Sequence, residues 1–433
     1  VKPRALLLCA AAAVALSACG PEPAKNPKEQ TGPHPKLPEP HQYLFPPMRV
    51  PSHEAWGNAS PHVPRGFKIQ ALGKDFNNPR TVYTLPNGDI LVVESDGPKE
   101  PIFRPKTIVV KWIEASAHSA NPAGNRILLL RDTNGDGIPD LRTVFIDHLV
   151  HPFGVVLVGN DLYVANTDSV MRFAYYEGDT YISGPGTKLT DLPGGPIDHH
   201  WTKSLTASPD GTKLYAGVGS NSNVMENGLE AEKDRAAIWE IDRQTGARRL
   251  YATGIRNPNG LQFEPTTKTL WAVVNERDEL GPDLVPDYFT SIKDGGFYGW
   301  PYSYWGQHVD PRVRPQRPDL VAKAIEPDYS LSSHVAPLGM VFNTGNAFPA
   351  RFKGGAFIGE HGSWDRSPYN GYRVVFVPFV NGRPNGQPEN IVTGFIDGDV
   401  AHGRPVGLAL DKNGALLIAD DLGGAVWRVS ATR

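Results

Sequence analysis

The stretch NPNGLQFEPTTKTLWAVVNE, residues 257–276, decides the fold. A turn proline is followed by a small residue, Gly260, then a short apolar run, a polar turn and a second apolar run that ends in Asn275-Glu276. Two short apolar runs across a polar turn make a β-hairpin. The phrase recurs as NPRTVYTLPNGDILVVES from Asn78, HPFGVVLVGNDLYVAN from His151 and WTKSLTASPDGTKLYAGVGS from Trp201. It returns as APLGMVFNTGNAFPARFKGGAFIGE from Ala336 and RPVGLALDKNGALLIADD from Arg404. The small residues are Thr81, Gly154, Ser204, Gly260, Gly339 and Gly407, at intervals of 73, 50, 56, 79 and 68 residues. Each interval holds a unit of four short strands (about 40–50 residues) plus loops. One unit cannot bury its own apolar face, so six stack around a channel. The sequence predicts an all-β chain, a six-bladed β-propeller of four-stranded antiparallel blades.

Composition agrees. The 433 residues include 45 Gly and 41 Pro, enough to punctuate many turns, and no long stretch has helical periodicity. A formal net charge of −3 gives no basic footprint, which argues against nucleic-acid binding. The segment GFKIQALGKDF at 66–76 precedes the first repeat and is expected to pair beside GAVWRV at 424–429, closing the ring and removing two edges.

At the start, Lys2 and Arg4 precede a run from Ala5 to Leu16 that is too short to span a bilayer and has the shape of a signal peptide. It ends Leu16-Ser17-Ala18-Cys19, similar to a bacterial lipobox with lipid on Cys19; ordinary cleavage that leaves Cys19 free is the rival. Residues 1–18 are thus expected to be removed, and 19–62 to form a lipidated cysteine and Pro-rich tether. Residues 63–433 would be the catalytic propeller. The chain is expected on the periplasmic side of the cell envelope, with Gly20 after the cysteine favouring the outer membrane. The other cysteine, Cys9, lies in the removed segment, so no disulfide is expected.

The loops that enter each first strand and leave each second strand should share one face. They carry His151, Asp198-His199-His200, Arg256-Asn257, His334 and His402 through Arg404. They also carry Glu94, Asn166, Asn275-Glu276-Arg277, Glu360-His361 and Asp420-Asp421. Histidines, arginines and carboxylates converging on a concave mouth point to a site. The run KDGGFYGWPYSYWG from Lys293 is aromatic and loop-like, which favours an exposed stacking wall over core. DTNGDGIPD at 132–140 spaces its acids like a calcium loop but has Thr143 at the twelfth position, where a bidentate carboxylate belongs. It is read as a hairpin turn, with weak calcium binding as the alternative.

The runs IDHHWTKSLTASPDGTKLYAGVGSNSN, ATGIRNPNGLQFEP, NERDELGPD and KDGGFYGWP resemble the soluble pyrroloquinoline-quinone (PQQ) sugar dehydrogenases, most closely the L-sorbosone dehydrogenase branch. The likeness covers most of residues 66–430. It implies PQQ and calcium as cofactors, a sugar substrate, and a cytochrome or quinone as electron acceptor. Carried over by motif, it implies His199 as general base beside Asp198, with Arg256 and Asn257 at the quinone and Arg404 at a cofactor carboxylate. The backbone carbonyls of Gly281 and Pro282 would hold calcium, while Trp364 and Arg366 in GEHGSWDR would cover the cofactor. GEHGSWDR stands where glucose-oxidising members have a lysine, and His151 stands in place of a glutamine-containing segment. His151 is placed with the cofactor and its role stays open. Two other classes compete: a calcium-dependent lactonase and a non-catalytic sugar- or peptide-binding propeller.

Overall fold

A computed structural model describes residues 26–42, 49–98 and 124–432. The expected signal peptide and Cys19 lie outside them. Six four-stranded antiparallel cores account for most of the strands. Each begins at one of the six repeats, and its first three strands follow in chain order. The first strands are Pro79–Thr84, Gly154–Val158, Leu205–Ala207, Asn257–Phe263, Pro337–Phe342 and Pro405–Leu410. Phe67–Gly73 is the fourth strand of the last sheet, paired with Ala425–Ala431 as the sequence predicted.

Neighbouring first strands approach closely at the small residues. A Cβ on Gly154 would lie 2.6 Å from Leu205 Cβ, and one on Gly407 would lie 2.6 Å from the Arg80 carbonyl oxygen and 2.8 Å from Thr81 Cα. On Gly260 it would lie 2.9 Å from Met340 N. The small residues of the repeat are therefore where one sheet lets the next approach, as a radial stack requires. This is a propeller of four-stranded sheets. Between the sheets lie apolar layers such as Leu91, Val93, Leu129, Leu162 and Val164, all fully buried.

The N-terminal segment departs from the expected tether. Thr31–Gly32 extends the fourth sheet by pairing with Tyr329–Ser333, and Ser52–His53 runs parallel to Val400–Ala401. Trp56 is buried against Phe395 and Trp427, and its Nε1 donates to Asp420 Oδ2 at 2.7 Å. Open strand edges and one aromatic anchor hold down a Pro-rich segment that has little apolar content of its own. The 132–140 loop is a turn: Asp132 accepts from the backbone N–H of Gly135 at 2.7 Å and of Gly137 at 2.8 Å. Among the described residues it forms no cluster with metal-ligand spacing.

Candidate active site

In three repeats the residue just before the small residue turns into one shared apolar cluster. Phe153, Leu338 and Val406, from three sheets, pack together with Trp201 as an apolar plug. A cavity of about 480 Å³ runs from Phe153 and Leu338 along the first strands of all six sheets, with no charged side chain in its lining. The charged site candidates lie outside this lining.

In the first and third repeats the same position is Arg80 and Lys203. Arg80 pairs with Asp421, which also accepts from Arg404 Nε at 3.2 Å and faces His361 Nε2 at 2.9 Å. Burial opposes the Asp421 charge, but Arg404, His361 and Arg80 hold its carboxyl well below the ordinary range. Burial pushes His361 down to about 4, against the pull of Asp421. At pH 7 two guanidinium cations therefore share the Asp421 carboxylate beside a neutral imidazole.

Asp198 is buried and holds the third sheet's entry loop. Its carboxylate accepts from Thr167 Oγ1, from Lys203 Nζ at 3.2 Å and from Arg235 Nη2 at 2.6 Å. Burial lowers Lys203 to about 8. Arg235 also bonds the carbonyls of Pro193, His200 and Gly219, tying both loops of the sheet together. Asp198 is thus a loop anchor for two buried cations, where the resemblance implied a tautomer-fixing partner of His199.

The two histidines beside it differ. His199 is exposed, and its backbone N–H donates to Asn221 Oδ1 at 3.3 Å. His200 packs edge-on against it, ring centroids 4.6 Å apart, with Nδ1 2.8 Å from the Ser220 carbonyl oxygen. A carbonyl only accepts, so the proton sits on Nδ1 and Nε2 presents its lone pair. Burial, together with the charges of Arg256 and His199, pushes His200 well below its ordinary range, which keeps it neutral. The geometry of a base held from behind therefore belongs to His200. His151 is the contrasting case: its Nδ1 lies 2.8 Å from the Asp96 carbonyl oxygen and 3.3 Å from its carboxylate, and the hydrogen bond to Asp96 raises it.

Arg256, expected at a quinone, is buried instead among protein acceptors. Its Nη1 donates to the carbonyls of Glu276 at 2.7 Å and Asn275 at 3.3 Å, while Nε and Nη2 bond Asn223. It braces the loop leaving the fourth sheet's second strand. Asn257, next to it, has a buried Oδ1 with no hydrogen-bond partner. The expected calcium carbonyls are also engaged. Gly281 O accepts from His334 Nε2 at 3.0 Å, and Pro282 O accepts from Arg366 Nε at 2.7 Å and Ser333 Oγ at 3.2 Å. Arg366 also pairs with Asp283 at 2.9 Å, so it clamps this loop. Trp364 is half-buried and its carbonyl accepts from Arg49 N at 2.8 Å, under the N-terminal segment.

Beside Gly281 the structure gathers Asp278, His334 and Asp365, whose ligand atoms lie within 4.8 Å of one another. His334 Nδ1 is 3.2 Å from Asp365 and 3.4 Å from Asp278. Burial is outweighed by these two carboxylates, which raise His334, while burial raises Asp365.

Other rim residues hold the fold. Glu94 accepts from Arg126 at 2.8 Å, Glu360 from Arg373 at 2.7 Å, and Asp420 from Trp56, Trp427 and the Arg404 N–H. His402 Nδ1 lies 3.1 Å from the Glu54 carbonyl oxygen. The aromatic run is core, not a stacking wall: Tyr298, Trp300, Tyr302, Tyr304 and Trp305 are all buried. Its glycines and prolines turn the chain while the rings pack inward.

Residues 162–362 match the Glucose / Sorbosone dehydrogenase family, and residues 318–432 the TrAA12-like family. The glucose/sorbosone dehydrogenase match covers just under half of the chain and includes the third and fourth sheets. A pyrroloquinoline quinone-dependent sugar dehydrogenase of Hypocrea jecorina is 23% identical over 362 residues, covering 70% of this chain and 80% of that protein. An uncharacterized protein of Borreliella burgdorferi is 28% identical over 292 residues, 65% of this chain and 76% of that one. Among solved structures, the calcium structure of a Trichoderma reesei AA12 enzyme superposes with a TM-score of 0.69 at 20% identity, covering 89% of this chain and 99% of that one. The holo PQQ domain of a Coprinopsis cinerea pyranose dehydrogenase gives 0.68 at 19% identity, covering 88% and 98%. The two superpositions support the propeller fold of this chain.

Proposed function

We propose that this chain is a PQQ- and calcium-dependent dehydrogenase of aldoses or related sugar aldehydes and alcohols, built as a closed six-bladed propeller. The observation that carries the reading is a neutral His200 whose Nδ1 is held by the Ser220 carbonyl, leaving the Nε2 lone pair for a proton. When bound, PQQ supplies an ortho-quinone that accepts hydride, and calcium polarises it. The residues fit that group. Arg404 gives Asp421 only its Nε, so its two terminal nitrogens remain for a carboxylate. The carboxylates of Asp278 and Asp365 supply hard oxygens of the kind calcium takes, and Asp365 Oδ1 is buried with no hydrogen bond among the described residues.

His200 Nε2 takes the proton of the sugar hydroxyl as hydride leaves the same carbon. The Ser220 carbonyl behind Nδ1 keeps the ring oriented and favours the imidazolium that forms. Asp198, Lys203 and Arg235 keep the His200 loop in register with the Ser220 loop. The test is dye reduction by purified protein across an aldose panel: it should need both PQQ and calcium, and turnover without PQQ would sink the reading. Export and lipid attachment at Cys19 are part of the proposal on sequence alone. A Cys19→Ser protein that stays in the membrane fraction would contradict them.

A further inference from the structure

Arg80 belongs to none of the roles above and was not singled out by the sequence. It is the residue before the small position of the first repeat, where Phe153, Leu338 and Val406 build the plug in theirs. A guanidinium at that point of an apolar plug is costly unless its N–H groups are used. They are only partly used: one terminal nitrogen meets Asp421, and the buried Nε has no hydrogen-bond partner. The guanidinium carbon lies 5.6 Å from the Trp201 ring centroid and 6.0 Å from that of Phe153, so aromatic faces flank the cation. Asp421 is already shared with Arg404 and His361. Two cations thus converge on one anion, and Asp421 fills only part of the donor set of each.

We propose that Arg80 and Arg404 together form a carboxylate seat at the channel mouth, with Asp421 as the hinge that holds the two guanidiniums in place. The ligand group is a planar carboxylate. It comes either from the cofactor, an arm that rests on the PQQ reading above, or from an acidic sugar substrate. Arg80 is suited to this because a fork flanked by aromatic rings is pre-organised, and lysine cannot reproduce its paired donors.

The test is calorimetric titration of the parent, Arg80→Gln and Arg80→Lys with PQQ in calcium, and separately with glucuronate and glucose. Loss of a charged hydrogen bond predicts a ten- to hundredfold weaker Kd (about 1.5–3 kcal/mol) in Arg80→Gln for the carboxylate ligand. The loss should be smaller in Arg80→Lys. Weakening towards PQQ assigns the seat to the cofactor. Weakening towards glucuronate with glucose unchanged assigns it to the sugar. Unchanged binding of both by a variant with the parent's circular dichroism overturns the proposal, and Arg80→Lys answers alone if Arg80→Gln does not fold. A parent that takes up no PQQ defeats the function reading instead, and the seat is then decided by glucuronate.

Discussion

His200 Nδ1 lies 2.8 Å from the Ser220 carbonyl oxygen, and this contact separates two adjacent histidines that sequence alone treats as equals. It leaves the lone pair of His200 on Nε2, while the adjacent His199 is exposed. His200→Ala should lower turnover by about 10²–10⁴-fold with PQQ binding retained, as loss of a positioned base does. His199→Ala should cost less than about tenfold. The reverse ranking in steady-state kinetics would return the base role to His199.

The pH profile gives an independent check. A base works unprotonated, so its rate falls as pH drops through its pKa. Burial and the neighbouring charges of Arg256 and His199 lower His200, so the acid limb of kcat/KM should lie well below pH 6.5. His151 is raised by Asp96 and would place that limb above 6.5. A limb above 6.5 that disappears in His151→Ala would make His151 the base.

Asp198 is the anion for Lys203 and Arg235, all three nearly inaccessible. Asp198→Asn leaves two buried cations without it, and should destabilise the chain by about 3–5 kcal/mol. Urea unfolding reads this as a lower midpoint at unchanged slope. A shift below about 1 kcal/mol would mean the loop is held elsewhere.

The sheets were legible in the sequence because each repeat carries its own hairpin pattern, and the pairing of Phe67–Gly73 with Ala425–Ala431 followed from edge logic. The gathering of the rim was legible too, since loop position fixes which end of a strand a residue occupies. Side-chain direction was not. Arg256 and Arg366 sit at the expected loops but turn inward to backbone carbonyls, a choice set by acceptors distant in sequence such as Asn223 and Pro282. Arg80 stands out only against Phe153, Lys203, Leu338 and Val406 at the same repeat position, a signal that no local motif carries. The buried aromatics after Lys293 were misjudged because glycine and proline mark turns, not exposure.

Gly407 is where the last sheet meets the first. A Cβ there would stand 2.6 Å from the Arg80 carbonyl oxygen and 2.8 Å from Thr81 Cα. Backbone cannot yield as a side-chain tip can, so Gly407→Ala should cost about 1–3 kcal/mol by overpacking. Wild-type stability in denaturant would show that these two strands do not close a ring.

The most direct test is an anaerobic single turnover. The protein is loaded with PQQ and calcium, mixed with an aldose without dye, and followed by the absorbance of the bound quinone. Reduction of one equivalent of quinone per protein, with one equivalent of sugar oxidised, is the predicted result. Quinone that stays oxidised across the aldose panel, in a protein that hydrolyses lactones with calcium alone, would contradict the account.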